Sequence, residues 1–501
     1  MRLDELIYLL EKNNMAHQIY MPDGFHAEEI ELNDMVCDSR NVRAGNIFAA
    51  TKGEHSDAHD FVPCAVRDGA SAVLCERKID FEIPQIICKN VRASMGETAS
   101  LLYGEPSKKL KMIAVTGTNG KTTSVFMMQN ILQSAGIKTG IIGTVNYDDG
   151  CNVREAAHTT PEGCDIQALL AEMVKNGCGA CVMEAASQPI MQGRINGTYF
   201  DRGGFTNLTI EHLDYHGNME NYFLAKKSLF DRFMKSDWSA SVNIDDEYGR
   251  RLCRALGERS MTYSMTDEKA DFFARITKIG IGGLDVEVNI GCIGKKDIVR
   301  LPLLGSYNVL NMLQAVSLAY SLGVPADIAL NAMSKMPQIP GRLERYGFDS
   351  GAACVIDFAH SPDGLEKVLN AVRPVCRGVL SVVFGCGGDR DKSKRPIMGE
   401  IAGRLADDVI VTSDNPRSED PDVIISEIAA GVKKVNRAHT AITDRREAIY
   451  EGLSRAGKGD IVVIAGRGPE THQILKNGSV PLVDREIVAD WCKINGKEIV
   501  K

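Results

Sequence analysis

The sequence predicts an α/β protein of three domains: a small N-terminal α/β domain, a central P-loop ATPase-type parallel sheet with helices, and a C-terminal Rossmann-like domain. The 501 residues exceed what a single hydrophobic core usually supports. Apolar, strand-like runs alternate with helical patterns through the middle of the chain, as in a parallel sheet wound with helices. The last third repeats one unit, an apolar strand followed by a polar loop, four times.

Two turn-rich segments set the predicted domain boundaries. Near residue 108, the stretch YGEPSKKLK gives way to the apolar strand MIAVTG. Near residue 340, the segment MPQIPGRLERYG carries two prolines and two glycines, which interrupt regular structure. The predicted domains are therefore residues 1–108, 109–340 and 341–501.

Composition argues against several classes of protein. The formal net charge of −8 argues against nucleic acid as a partner, and no apolar run approaches the roughly 18 residues that cross a bilayer. The first residues, MRLDELIYLL, predict a short amphipathic helix and not a signal peptide. We therefore expect a cytoplasmic monomer without a membrane partner.

The 14 cysteines lack the spacing of a disulfide framework or a zinc site. The CxxC formed by Cys178 and Cys181 runs into an apolar strand, which favours a packing role for both residues.

A polyphosphate-binding loop is predicted after the strand MIAVT. Its residues are Gly117, Thr118, Asn119, Gly120, Lys121, Thr122 and Thr123, and a helical pattern follows. Glycines let backbone N–H groups approach phosphates, Lys121 offsets their charge, and the Thr122 hydroxyl suits Mg²⁺. Val115 stands where the full Walker pattern has glycine, so the loop is a compact variant, and an ordinary strand-to-helix turn is the alternative. Glu184 ends the apolar strand GACVMEA at the same sheet edge, where a carboxylate also suits Mg²⁺.

Lys226 is predicted to lie on the buried face of its helix. It shares one helix face with Tyr222, Leu229 and Phe233, whereas Lys227 points away from that face. Burial favours a neutral amine, the form that reacts with CO₂ to give a carbamate. A lysine that only extends along a surface helix is the alternative.

Polar loops follow the four repeated strands of the last third. The strands AACVID, VLSVVFG, DVIVTS and DIVVIAG precede the loops FAHSPD, CGGDRDKSKRP, DNPRSEDP and RGPETHQ. In an open parallel sheet, ligands bind beyond the carboxyl ends of the strands, so these loops are expected to meet at one edge. Ordinary solvated connections are the alternative.

The sequence resembles the Mur ligase family over nearly its whole length. GTNGKTT is that family's phosphate loop, and the further matches include DSR, GNIF, HTTP, FTNL, EHLDYHG, AKKSLF, GSYNVLN, GRLE, DFAHSPD, GCGGDRDKSKRP and DNPR. The resemblance implies an ATP-dependent amide-bond ligase of peptidoglycan precursor synthesis that works through an acyl phosphate. DNPR implies that the ligase adds meso-2,6-diaminopimelate to UDP-N-acetylmuramoyl-L-alanyl-D-glutamate. The alternatives are a Mur ligase that adds L-lysine or another amino acid, a folate-type polyglutamate ligase, and a catalytically altered nucleotide-binding homologue.

The resemblance also implies roles for individual residues. The catalytic residues would be Lys121, Glu184, His212 and Lys226. ATP would contact the phosphate loop, Asn308, Asn311, Arg342 and Asp357, with Arg342 reaching the γ-phosphate on domain closure. Mg²⁺ would be held by Thr122, Glu184, His212 and a carbamate on Lys226. The UDP-muramoyl substrate would contact Ser39, Thr159, Thr160, Gln192 and Arg194. Diaminopimelate would contact Arg390, Asp414, Asn415, Pro416, Arg417, Gly466 and Glu470.

Arg417 is the residue that would separate diaminopimelate from lysine. Arg390 and Arg417 carry planar guanidinium groups suited to carboxylates, and lysine lacks the distal carboxylate of diaminopimelate. The Asp414–Asn415 pair is available for the distal ammonium group. The alternative is that Arg417 pairs with Glu419 or Asp420 on its own loop.

Three of the residues that depart from the family pattern bear on the expected site. Ala186 and Gln188 stand in EAASQ where the family usually has EVSSH, and Pro469 stands in GRGPE where it usually has GKGHE. The hydroxyl lost at Ala186 removes one hydrogen bond, worth roughly 1 kcal/mol. Pro469 removes an imidazole near the expected amino-acid pocket.

Overall fold

The computed structural model of the chain describes residues 1–15, 18–53 and 56–500, which form two compact units. The first unit comprises Met1–Phe273, Ile290–Gly294 and Leu310–Ala332. The second unit comprises Ala274–Asn289, Lys295–Val309 and Met333–Lys501. The domain boundaries near residues 108 and 340 stay predictions.

The first unit begins with a five-stranded sheet. In spatial order its strands are Gln18–Tyr20, Gln85–Ile87, Ala70–Cys75, Asn46–Ala49 and Asp34–Val36. The strands pair in parallel except for the first, which is antiparallel to its neighbour. The helices of this part are Leu3–Lys12, Val62–Arg67, Val91–Leu102 and Pro106–Lys109. Leu3–Lys12 is the predicted amphipathic helix, because Leu3, Leu6 and Leu10 are buried at helical spacing.

A larger parallel sheet, the central sheet, forms the rest of the first unit. In spatial order its strands there are Ser260–Ser264, Met234–Asn243, Phe200–Phe205, Lys111–Thr116, Ala180–Glu184, Thr139–Ile142, Asn146–Asp148 and Val153–Glu155. The first six pair in parallel and the last two add an antiparallel hairpin. The helices from this part of the chain are Lys121–Ser134, Gly163–Lys175, Ser187–Met191, Leu213–His216, Met219–Arg232, Glu247–Leu256, Tyr307–Ser321 and Ala326–Ser334.

The middle of the central sheet positions the phosphate loop. Lys111–Thr116 lies between Ala180–Glu184 and Phe200–Phe205, and Val115 pairs in register with Glu184. All three strands point the same way, so their carboxyl ends meet at one edge. The phosphate loop, Glu184 and the segment after Phe205 therefore share that edge.

The second unit is built on a seven-stranded sheet. In spatial order its strands are Thr440–Ala441, Asp408–Val411, Leu380–Phe384, Ile461–Ala465, Ala353–Asp357, Glu344–Phe348 and Ile499–Val500. The first five pair in parallel, and Glu344–Phe348 is antiparallel to both its neighbours. The helices are Pro362–Val372, Lys394–Leu405, Pro421–Lys434, Arg445–Arg455 and Asp484–Ile494. The four strands predicted from the repeat are four adjacent parallel strands, which confirms that their loops share one edge.

Five strands remain, and the first of them continues the central sheet, because Phe272 and Phe273 pair in parallel with Tyr263 and Ser264. They are Phe272–Gly280, Gly283–Ile290 and Lys295–Leu301, together with the antiparallel hairpin of His472–Leu475 and Gly478–Pro481. All 14 cysteines are unpaired, and Cys178 and Cys181 are both buried. Within the described residues, no helix is long and apolar enough to cross a membrane.

Candidate active site

The phosphate loop folds into a turn that two of its glycines permit. Gly117 has a φ of 142° and Gly120 a φ of 89°, values that favour glycine. A Cβ atom at Gly117 would stand 1.8 Å from Thr206 Oγ1, and one at Gly120 would stand 2.4 Å from Asn311 Oδ1. The helix Lys121–Ser134 begins directly after this turn, with its N-terminus at the loop.

The segment after Phe200–Phe205 anchors the phosphate loop. Thr118 N donates to Asn207 O at 2.8 Å. Asn119 N donates to Asn207 Oδ1 at 3.0 Å, and Asn119 O accepts from Thr206 Oγ1 at 2.6 Å. Thr123 is buried behind the loop. The loop is thus shaped by the neighbouring strand end as well as by its own glycines.

Thr122 and Glu184 are joined to each other at the head of this helix. Thr122 Oγ1 donates to Glu184 Oε2 at 3.1 Å. The Glu184 carboxylate is buried and also accepts from Thr144 N at 2.8 Å and from Thr144 Oγ1 at 3.0 Å. Lys121 Nζ donates to the carbonyl oxygens of Gly117 and Thr118 at 3.0 and 2.8 Å. The adjacent hydroxyl and carboxylate oxygens are the hard donors that Mg²⁺ prefers.

Lys226 lies against the phosphate loop. It is buried in the helix Met219–Arg232, and its Nζ donates to Gly117 O at 2.8 Å. Burial, together with the positive charge of Lys121, holds the pKa of Lys226 well below its usual value. Lys227 instead bonds Asp231 at 2.7 Å on the exposed side. The lowered pKa favours the neutral form of the amine that the helix presents to the loop.

A cavity of about 290 Å³ opens beside the loop and brings together several of the site residues predicted for the first unit. The predicted site residues that line it are Lys121, Thr159, Thr160, Gln192, Arg194, His212 and Lys226. Ala186 and Gln188, the departures from the family pattern, line it too. Ser39 is not among the lining residues; it lies in the turn Ser39–Asn41 that follows the strand Asp34–Val36.

The cavity wall carries several hydrogen bonds between the predicted acceptor residues and the strand ends. Thr160 Oγ1 donates to Glu184 O at 2.8 Å, and the Thr159 hydroxyl lies 3.0 Å from Thr144 Oγ1. Arg194 donates to Thr160 O at 3.3 Å, and its Nε donates to Gln192 Oε1 at 3.0 Å. Arg194 thus presents a half-buried, oriented guanidinium to the cavity.

Two histidines flank Tyr222 at this cavity. His212 lies edge-on to the Tyr222 ring at 6.2 Å, and burial lowers the pKa of His212, which favours the neutral imidazole that binds metals. His216 stacks on Tyr222 at 4.9 Å, and its Nε2 lies 3.0 Å from Ser187 Oγ. His216 was not singled out from the sequence, although it stands one helical turn after His212 within EHLDYHG.

The predicted nucleotide residues outside the loop fall into different surroundings. Asn311 borders Gly120 in the first unit. In the second unit, Asn308 is buried and its Nδ2 donates to Leu304 O at 2.6 Å. The Arg342 guanidinium stacks 4.7 Å from the Phe358 ring. Burial raises the pKa of Asp357, whose carboxylate accepts from Leu343 N and from Ala359 N, each at 2.8 Å.

The departure at Pro469 lies next to Arg342. A Cβ atom at Gly341, which has a φ of 63°, would stand 2.4 Å from Pro469 N. Pro469 therefore packs directly against the residue that precedes Arg342.

The side chains of Arg390 and Arg417 both border Gly387 at the strand-end edge of the second unit. A Cβ atom at Gly387 would stand 2.9 Å from Arg417 Nη1 and 3.7 Å from Arg390 Cγ. Burial and the positive charge of Arg390 lower the pKa of Arg417. Glu419 accepts from Arg395 at 2.9 Å and Asp420 caps the helix Pro421–Lys434, so the carboxylates proposed as alternative partners of Arg417 are engaged elsewhere.

Acidic groups complete this edge. Asp414 is buried, and its Oδ2 has no hydrogen-bond partner among the described residues. A Cβ atom at Gly466, with a φ of 114°, would stand 2.5 Å from that oxygen. Asn415 Nδ2 donates to Glu470 Oε2 at 2.8 Å, and burial, with the charge of Asp414, raises the pKa of Glu470. A buried, unpartnered carboxylate oxygen fits an ammonium ligand.

Two buried arginines that the sequence did not single out support the same edge. Arg467 Nη1 donates to Asn415 Oδ1 at 2.8 Å. Arg395 joins Glu419 to Glu427. Pro416 packs against the neighbouring loop, because a Cβ atom at Gly388 would stand 1.9 Å from Pro416 O. In the sequence, Arg395 and Arg467 are marked only by their position after glycine-rich segments that follow strands.

Three family models match the chain. They are the Mur ligase family catalytic domain over residues 31–101, the Mur ligase middle domain over residues 115–319, and the Mur ligase glutamate ligase domain over residues 341–468. The matches fall on the first sheet, the central sheet and the second unit.

Individual relatives cover nearly the whole chain. The chain is 40% identical over 469 residues to UDP-N-acetylmuramoyl-L-alanyl-D-glutamate–2,6-diaminopimelate ligase 1 of Clostridium acetobutylicum, covering 93% of this chain and 95% of that protein. A solved UDP-N-acetylmuramoyl-L-alanyl-D-glutamate–2,6-diaminopimelate ligase is similar with a TM-score of 0.65 and 32% identity, covering 95% of this chain and 98% of the other. A MurF ligase from Thermotoga maritima, solved with ADP, is similar in fold with a TM-score of 0.64 and 20% identity, covering 87% and 94% of the two chains. These similarities confirm the predicted fold class.

Proposed function

The chain belongs to the Mur ligase family, and on that basis we propose that it is an ATP-dependent ligase that joins meso-2,6-diaminopimelate to UDP-N-acetylmuramoyl-L-alanyl-D-glutamate. The product is a peptidoglycan precursor. The observation that carries the proposal is the cavity of about 290 Å³ whose lining includes the cationic side chains of Lys121, from the phosphate loop, and Arg194. Such a lining suits an anionic acceptor beside a polyphosphate.

The proposed reaction uses one ATP for each amide bond. An oxygen of the free D-glutamate side-chain carboxylate attacks the γ-phosphorus, and ADP leaves. The amine of diaminopimelate then attacks the carbonyl carbon of the acyl phosphate, and phosphate leaves with the former carboxylate oxygen while the nitrogen loses a proton. Most of the required catalysis is the management of negative charge, because a carboxylate must approach a triphosphate.

The phosphoryl step is assigned to the phosphate loop and its neighbours. Lys121 and the loop N–H groups bind the polyphosphate. The Thr122 hydroxyl and the Glu184 carboxylate, 3.1 Å apart, are oxygen donors of the kind that Mg²⁺ prefers. His212, whose lowered pKa favours the neutral imidazole, is assigned as a further metal ligand on the family resemblance alone. When bound, that ion offsets the charge of the triphosphate.

Lys226 is proposed to carry a carbamate. Its buried Nζ has a lowered pKa, which supports attack of the neutral amine on CO₂ to form an N–C bond with loss of one proton. The new anionic oxygens add a ligand for Mg²⁺ beside the loop.

The remaining residues bind the two substrates to be joined. Thr159, Thr160, Gln192 and Arg194, with Ser39, are assigned to the UDP-muramoyl substrate. Arg390 and Arg417 are assigned to the carboxylates of diaminopimelate, with Asp414 as the partner of an ammonium group. The unpartnered Asp414 Oδ2 and the two arginine side chains that border Gly387 support that assignment.

Phosphate release tests the proposed substrates. Purified protein is incubated with the UDP-muramoyl dipeptide, ATP and Mg²⁺, with diaminopimelate, L-lysine or no amino acid. We expect release that depends on diaminopimelate and is abolished in Lys121→Ala. Release with lysine alone would contradict the choice of amino acid, and release without the dipeptide would contradict the choice of acceptor.

A further inference from the structure

A second group of ligating side chains lies outside the cavity. Cys37 follows the strand Asp34–Val36, and Cys164 and Asp165 lie in the first turn of the helix Gly163–Lys175. One ligand atom from each, the two Sγ atoms and an Asp165 carboxylate oxygen, all lie within 4.8 Å of one another. Cys164 Sγ is 3.9 Å from Asp165 Oδ1. Two elements far apart in sequence therefore bring three donors to one point.

The spacing and chemistry of these donors match a thiophilic divalent cation. A tetrahedral Zn²⁺ site with Zn–S distances of about 2.3 Å places neighbouring ligand atoms roughly 3.5–3.8 Å apart. The observed 3.9 Å between Cys164 Sγ and Asp165 Oδ1 is close to that edge length. Thiolates favour Zn²⁺ over Mg²⁺, which prefers oxygen ligands alone.

The surroundings are acidic. Asp165 is exposed, and the carboxylates of Glu162 and Asp34 lie close enough to interact with it electrostatically. Glu162 is paired with Arg92 and Arg194, at 3.4 and 3.2 Å, which offset part of its negative charge. The Asp34 carboxylate accepts from Met35 N at 2.7 Å and from the Tyr103 hydroxyl. A bound cation offsets the negative charge that this group concentrates.

We propose that Cys37, Cys164 and Asp165 form a binding site for a thiophilic divalent cation of the Zn²⁺ class, with water as the fourth ligand. Binding forms two metal–sulfur bonds and one metal–oxygen bond, and the two thiol protons pass to solvent. The site uses none of the residues assigned to Mg²⁺.

The position of this site gives it a consequence for substrate binding. Ser39 follows Cys37 by two residues, and Glu162, which bonds Arg194, precedes Cys164 by two. Cation binding fastens the strand Asp34–Val36 to the helix Gly163–Lys175 and so alters the affinity for the UDP-muramoyl substrate. This consequence rests on the proposed function, whereas the cation site itself does not.

Titration with Co²⁺ tests the site without any substrate. The reduced, chelator-treated full-length protein is titrated with Co²⁺, and the ultraviolet thiolate-to-Co²⁺ charge-transfer band is recorded. We expect one equivalent to give a band typical of two thiolates and one equivalent of Zn²⁺ to remove it. Cys37→Ser and Asp165→Asn should weaken Co²⁺ binding by more than the roughly 10- to 100-fold that loss of an outer-sphere partner costs.

Matched variants keep the result interpretable. Cys64→Ser, which changes another half-buried cysteine of the first sheet region, should bind Co²⁺ like wild type. Asp165 has an exposed side chain, so Asp165→Asn is expected to fold normally, and a thermal melt of each variant checks this. The proposal is overturned by a missing band in wild type, by an unchanged affinity in Cys37→Ser, or by a Cys37–Cys164 disulfide in a protein whose reduced form binds no Co²⁺.

The effect on substrate binding is a separate measurement. One equivalent of Zn²⁺ should change the KM for the UDP-muramoyl dipeptide in wild type and leave Cys37→Ser unchanged. Equal changes in both proteins would contradict the linkage. An inactive ligase with an intact Co²⁺ band would instead refute the proposed function and leave the cation site standing.

Discussion

Burial decides the chemical form of Lys226. The folded chain holds its pKa well below the usual value, whereas an unfolded chain keeps the amine protonated up to about pH 10.4. Between the lowered pKa and that value, the unfolded chain binds the additional proton, so the free energy of unfolding rises with pH. We expect wild type to gain stability relative to Lys226→Met as pH rises through this window.

Denaturant unfolding of both proteins at a series of pH values measures that difference. Lys227→Met is the control, because Lys227 bonds Asp231 on the exposed side of the same helix. Its unfolding free energy should follow the pH dependence of wild type. A Lys226→Met curve parallel to wild type would mean that Lys226 is not neutral in the folded protein.

Arg417 decides which amino acid is bound in the proposed site. Arg417→Ala removes a half-buried guanidinium beside Gly387, and the loss of a charge-assisted hydrogen bond costs about 1.5–3 kcal/mol. We expect the KM for diaminopimelate to rise about 10- to 100-fold, and Arg417→Lys to recover only part of the loss. Steady-state phosphate release measures this. Arg446→Ala is the control: it removes a surface arginine paired with Asp490 and should leave the KM for diaminopimelate unchanged. An unchanged KM in Arg417→Ala would show that Arg417 does not bind diaminopimelate.

Single residues were predictable where a local pattern carried the signal. Lys226 was placed by helical periodicity and Glu184 by its position at a strand end. Thr144 and His216 were missed because their partners, Glu184 and Ser187, are 40 and 29 residues away in the chain. Neither contact leaves a local pattern in the sequence.

In the second unit, hydrogen bonds join two of the loops that follow parallel strands. Glu419 accepts from Arg395 at 2.9 Å and from Asp389 N at 2.7 Å, which ties the DNPR loop to the loop that carries Arg390. The hydrogen bonds from Arg395 and Lys392 lower the pKa of Glu419 to about 2. This arrangement fixes Arg390 and Arg417 relative to each other.

Glu419→Gln tests that loop pairing. The lowered pKa means that the stability from the Glu419 carboxylate is present above about pH 4.5 and is lost as pH falls toward 2. At pH 7 we expect Glu419→Gln to lower the free energy of unfolding by about 1–3 kcal/mol and to raise the KM for diaminopimelate. The stability difference should shrink below pH 4.5. Glu451→Gln is the control: it breaks a surface ion pair with Arg455 and should lower the free energy of unfolding by about 0–1 kcal/mol without changing the KM. Equal effects in the two variants would show that Glu419 does not hold the two loops together.

The phosphate loop requires glycine at position 120, because the loop backbone there lies close to the Asn311 side chain. In Gly120→Ala, the new Cβ meets Asn311 Oδ1 at 2.4 Å and the backbone stays at positive φ. Gly136→Ala has the same kind of backbone, with a φ of 78°, but its Cβ meets nothing within 4 Å. Both variants should lose about 1–2 kcal/mol of stability, and only Gly120→Ala should lose affinity for ATP in calorimetric titration. An equal loss of affinity in Gly136→Ala would show that the approach to Asn311 is unimportant.

At this scale the sequence predicted the strands better than their arrangement. Fully buried parallel strands appear as continuous apolar runs, so the four strands of the last third were visible. Their spatial order places Ile461–Ala465 between Leu380–Phe384 and Ala353–Asp357. That order depends on packing between segments far apart in the chain, which no local pattern records.

In the molecule as a whole, the sequence predicted domain boundaries at turn-rich segments near residues 108 and 340. In the structure, residues 1–273 instead belong to one compact unit. The helices Val91–Leu102 and Gly163–Lys175 explain this grouping. A Cβ atom at Gly163 would stand 2.8 Å from Gly96 Cα, so paired glycines bring the two helices into close contact. The first sheet is therefore packed onto the central part of the chain, although a turn-rich segment separates them in sequence.

The central claim is that this chain forms an amide bond through an acyl phosphate on the D-glutamate side chain. The most direct test uses a UDP-muramoyl dipeptide in which both oxygens of the D-glutamate side-chain carboxylate are ¹⁸O, incubated with ATP, Mg²⁺ and diaminopimelate. Mass spectrometry then follows the released phosphate and the nucleotide product. We predict one ¹⁸O atom in each phosphate, formed in equal amount with a product that contains diaminopimelate. Phosphate that contains no ¹⁸O would contradict the account.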